Sequence, residues 1–152
     1  MAEILLGAGM RILDSIKTLL TNKSSVQVVA DDPHMASEIM LLVRMMFIDG
    51  DLNGPELELF KHYCRTVFGI PEEDVPEVIK FLSDYGYETS GEQAAAVFAE
   101  MPGERKAQIL GNLITMARAD NVLHENEVDL ITRVSRVLGY SPEQINQIVA
   151  RL

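Results

Sequence analysis

The chain has 152 residues, 47% of them apolar, with 23 acidic side chains against 13 basic and a formal net charge of -10. That length suits one domain with a sizeable core rather than two, and the apolar content excludes a disordered chain. The acidic balance argues against binding along a phosphate backbone or on an anionic membrane surface, and suits cations and basic partners.

The first stretch, MAEILLGAGM, has Glu3 where a secretory signal needs basic charge, and Arg11, Asp14 and Lys17 interrupt the apolar run short of a membrane span. Leu5, Gly9, Ile12, Leu13, Ile16 and Leu20 form a stripe, so residues 1–24 are expected to be an amphipathic helix. It should pack on the body or on a second copy, because its polar face is not strongly basic as a membrane-surface helix requires. Residues 25–34 are expected to be a linker, with VQVVA at 26–30 the one strand-like alternation.

A helix then starts with Asp32 as cap and Pro33 in the first position and runs to about Ile48. The next follows FIDGDLNGPELE and ends near Gly69, a left-handed terminator. Another starts around Pro71, with Glu72, Glu73 and Asp74 in the first turn where the helix dipole favours carboxylates, and stops near Gly86. SGEQ at 90–93 is a capping box opening a further helix, which MPG at 101–103 breaks. The following helix reaches about Ala119. Its successor spans about Glu125 to Leu138 with Gly139 as stop, and SPEQ at 141–144 caps the last.

An internal repeat organises these elements. Asp49 falls on Asp120, 71 residues later, and at that offset Leu52 meets Leu123, Glu56 meets Glu127 and Leu59 meets Leu130. A one-residue deletion then aligns VFGIPEEDVPEVIKFL with VLGYSPEQINQIVARL, so residues 38–82 and 108–152 read as two copies of one helical unit. The first helices of the copies, EIMLLVRMMFI and QILGNLITMARA, are apolar on most faces and should be buried on several sides. The next helices are amphipathic, with Leu57, Phe60, Cys64 and Val67 in one and Val128, Ile131, Val134 and Leu138 in the other. The expected fold is therefore all-α, a single compact bundle of seven to eight helices built from two pseudo-repeated units. Residues 35–152 form the domain.

The stretch FIDGDLNGPELE resembles the start of a calcium loop. Asp49, Asp51 and Asn53 alternate and Gly54 follows, but the twelfth position is Phe60 where an EF-hand needs a bidentate Glu. A second reading is structural. Asn53 and Glu56 are spaced as a cap and its reciprocal partner, and His124 and Glu127 repeat that spacing. Asp49 and Asp120 lie four residues before the caps, where an Asp can bond turn amides. Gly50 and Asn121 both tolerate the left-handed conformation of such a turn. Cys64 is the only cysteine, so no intramolecular disulfide forms and a reducing compartment is expected; the residue reads as core. No H-E-x-x-H, G-x-S-x-G or P-loop is present, and His62 and Cys64, two apart on a helix, do not face each other.

The pattern A-D-G-x-(apolar)-(S/N)-x-x-E, between a buried helix and an amphipathic one, resembles the TerB-like family. That family includes tellurite-resistance proteins and the N-terminal domain of some membrane-anchored DnaJ-type co-chaperones. Here the motif stands as IDGDLNGPE and ADNVLHENE, the second departing from it by Asn121 for Gly and His124 for Ser or Asn. The resemblance covers residues 35–152. It implies an all-helical domain with two pseudo-repeats, an acidic patch able to bind divalent cations, and a link to stress or chemical-resistance systems. Carried over by position, the family acids are Asp49, Glu56, Asp120 and Glu127.

Three functions are weighed. The leading one is a non-enzymatic acidic module that holds a divalent cation and docks a protein partner. Its expected ligands are Asp49, Asp51, Asn53, Glu56, Asp120 and Glu127. Calcium or magnesium is preferred over zinc because the motif offers oxygens and no Cys. The first copy should bind more tightly, because Val122 and His124 replace two of its oxygen donors. The second is a structural adaptor without metal, its carboxylates serving as caps. The third is a hydrolase using paired carboxylates on a metal. Nucleic acid is not expected as a partner, and membrane association only indirectly. A homo-oligomer stays open. The expected location is cytoplasmic, including the inner face of the membrane.

Overall fold

Asp32 marks the entry into the bundle. Its carboxylate accepts the Met35 N–H at 3.1 Å and Pro33 follows in the first turn, so the donors orphaned at the helix start are capped locally. The computed structural model describes residues 24–48, 54–86 and 89–152. Among them the elements are α1 (Ser25–Asp31), α2 (Pro33–Phe47), α3 (Gly54–Thr66), a 3-10 turn (Glu72–Asp74), α4 (Val75–Gly86), α5 (Gly91–Ala96), α6 (Gly103–Ala117), α7 (Glu125–Val137) and α8 (Pro142–Ala150), with no strand. The all-α expectation holds. The expected N-terminal helix, residues 1–24, lies outside the described residues except for Ser24.

Residues 25–34 are not the linker that was expected. They contain α1, which the Ser24 hydroxyl caps by accepting the Gln27 N–H at 3.2 Å, and the first turn of α2. The alternation in VQVVA is too short to specify a strand once a cap precedes it and Val29 has a core to enter. Val29 is fully buried, α1 packs on α2 and α4, and the Ser25 hydroxyl donates to Asp74 at 2.6 Å, tying α1 to the 3-10 turn.

The centre of the bundle is α2. It packs against α1, α3, α4, α5 and α6, so Ile39, Met40, Leu41, Leu42, Met45 and Met46 are all buried, as a helix apolar on most faces requires. By contrast α6, which packs on α2, α3 and α7, buries a stripe of Ile109, Leu110, Leu113, Met116 and Ala117 and leaves Gly111 and Thr115 exposed. Its burial is therefore more one-sided than the sequence pattern suggested. In α3, Phe60 and Cys64 are buried but Val67 is 50% exposed, because α3 ends at Thr66 and Val67 turns away into the stop.

Several predicted stops and starts are met, but α4 starts at Val75, behind the 3-10 turn, rather than around Pro71, and α5 ends at Ala96, ahead of the break at 101–103. Gly69 and Gly139 sit at φ 68° and 94°, where a Cβ would strain the backbone. Ser90 and Ser141 form reciprocal capping boxes with Gln93 and Gln144. Helices α2 and α6 each have 15 residues, and α3 and α7 each have 13. The copies differ after them: the 3-10 turn precedes α4, whereas α8 starts directly after its Ser141 cap.

Polar ties set the helix pairs. Glu38 is buried in α2, and its two carboxylate oxygens accept from the two terminal nitrogens of Arg105 on α6, one pair at 3.4 Å and the other closer. Arg44 on α2 donates to the Thr89 carbonyl, just ahead of the Ser90 cap. Between α5 and α7, Arg133 donates to Glu92 at 3.1 Å. The backbone N–H of Glu92 and then Arg133 hold that carboxyl below its usual range.

Candidate functional site

The two motif acids that open helices, Glu56 and Glu127, each occupy the third position, in α3 and α7 respectively. There the chain leaves donors without intrahelical partners and the dipole favours an anion. Both side chains are also buried, Glu56 at 1% and Glu127 at 0% exposure. That burial follows from register. Glu56 shares its helix stripe with Phe60 and Cys64, and Glu127 shares its own with Ile131 and Ser135, all of them buried. The spacing i, i+4, i+8 was a signal for burial that motif reading passed over.

In the second copy the local bonding is explicit. Glu127 Oε1 accepts the His124 backbone N–H at 3.3 Å, and the imidazole Nε2 lies 3.9 Å from the same oxygen. Four residues before His124, Asp120 Oδ1 accepts the Val122 N–H at 3.0 Å across a turn in which Asn121 is left-handed at φ 62°. Asp120 thus bonds a turn amide, and Asn121 performs the backbone task of the motif's glycine. In the first copy Asp49, Asp51 and Asn53 lie outside the described residues; Glu56 alone of its candidate ligands is placed.

Among the described residues no three His, Cys, Asp or Glu side chains come together to hold a metal ion, so Glu56, Asp120 and Glu127 are not gathered into one ready-made cluster. The residues just before Glu56 and Asp120 do line a common feature. An open groove of about 450 Å³ between α3 and α6 is lined by Pro55, Leu59, Ile114, Thr115, Arg118 and Ala119. Pro55 immediately precedes Glu56, and Ala119 immediately precedes Asp120. Beyond it, burial pushes the Tyr63 hydroxyl above its usual range, partly offset by a hydrogen bond with Thr115 that joins the same two helices.

The remaining chemistry-bearing residues are quiet. Cys64 is buried, and desolvation pushes its thiol up to about 12, so it is no nucleophile at neutral pH. His34 stacks edge-on with Phe98 at 5.9 Å, and His62 is exposed beside Tyr63. Sequence reasoning missed the Glu38–Arg105 pair. Its two members are 67 positions apart, and no local pattern connects them.

The family model described as tellurite resistance protein TerB matches residues 35–150, most of the chain. The chain belongs to the TerB family. Both motif copies, with the buried Glu56 and Glu127, lie inside the matched span, whereas α1 precedes it. No curated protein and no solved structure matches the chain. No helix among the described residues is long and apolar enough to cross a membrane.

Proposed function

We propose that this TerB-family chain is a non-enzymatic acidic module that binds a divalent cation at its motif turns and docks a protein partner in a tellurite-resistance or stress system. The observation that carries the reading is the burial of Glu56 and Glu127 at matching places in α3 and α7. A carboxylate taken out of water needs compensation by hydrogen bonds or a cation.

The donor set fits a hard cation. In the second copy Asp120 and Glu127 each accept a backbone amide with a carboxylate oxygen, so the motif chemistry is oxygen-based, with no Cys among the motif residues to favour zinc. In the first copy Asp49, Asp51, Asn53 and Glu56 would be the holders, with Asp120 and Glu127 holding the weaker equivalent. Bound there, calcium or magnesium would neutralise the acidic turns and fix their conformation. The groove between α3 and α6, bordered by both motifs, is a surface that such a change would reshape for a partner. A cytoplasmic location, including the inner membrane face, accords with the single buried thiol.

A second reading has a specific observation in its favour. The His124 N–H to Glu127 bond and the Val122 N–H to Asp120 bond are what helix caps and turns make without any metal. Calorimetry with calcium and magnesium on the wild type and on Asp49→Asn/Glu56→Gln separates the two. The cation reading expects a dissociation constant of about 10⁻⁵–10⁻³ M and its loss in the variant. Unchanged heats, with stability lowered by about 1 kcal/mol, mean that the carboxylates are caps alone.

A further inference from the structure

We draw no further inference here: the strongest candidate, the apolar groove among α1, α2, α4 and α5 to which Met40, Phe81 and Val97 contribute, carries nothing, because nothing among the described residues shows what covers it.

Discussion

Arg105→Met and Glu38→Ile remove the same ion pair from opposite ends, and they should not weaken the fold equally. Glu38 is 2% exposed in the core-facing side of α2, whereas the Arg105 side chain on α6 is 36% exposed. Arg105→Met keeps the aliphatic stem but strands a carboxylate in the core; breaking a buried pair in this way costs about 3–5 kcal/mol. Glu38→Ile removes the buried charge itself. Arg105 then turns to water and keeps its contact to Gln108 at 3.4 Å. An apolar residue at the position 71 later, Ile109, is itself 1% exposed. Replacing a buried pair by a packed apolar residue is often neutral or stabilising, so Glu38→Ile should stay within about 1 kcal/mol of wild type. Urea unfolding followed by circular dichroism, with unchanged m-values, measures both. For a chain of this size the Arg105→Met loss corresponds to a melting point lower by about 6–20 °C, at 2–4 °C per kcal/mol. If Glu38→Ile proves as damaging as Arg105→Met, the pair is a net stabiliser and the desolvation argument fails.

Cys64 makes stability fall in alkali. Its thiol is pushed up to about 12 in the folded chain against about 8.5 unfolded. The raised value means that its contribution is complete below about pH 8.5 and is lost as pH rises towards 12, at up to about 1.4 kcal/mol per pH unit. Chemical unfolding at pH 7 and pH 10 should therefore show wild type losing about 2 kcal/mol more than Cys64→Ala; equal losses would mean that the thiol titrates normally. Asn121→Val should cost about 1–2 kcal/mol, because φ 62° excludes a β-branched side chain, whereas Asn121→Gly should be tolerated. Thermal melts of the pair check this, and equal melting points would place the residue outside the left-handed region.

The sequence by itself determined what depends on residues within one turn of each other. Ser90 with Gln93 and Ser141 with Gln144 announced helix starts, Gly69 and Gly139 announced stops, and Asn121 announced a left-handed turn, because capping and φ preferences are local. Only the tertiary structure decided which faces meet. VQVVA became α1 because Ser24 caps it and α2 and α4 bury Val29, a context no seven-residue pattern contains. Glu56 and Glu127 read in the sequence as cap partners and as metal ligands, and their burial came from the packing, because the helices carrying them lie with that stripe inward. Glu38 found Arg105, and Pro55 came to share a groove with Ala119, through packing across more than 60 positions of chain. Burial and partner choice depend on how helices are arranged in space, and that arrangement is a property of the whole core rather than of any segment.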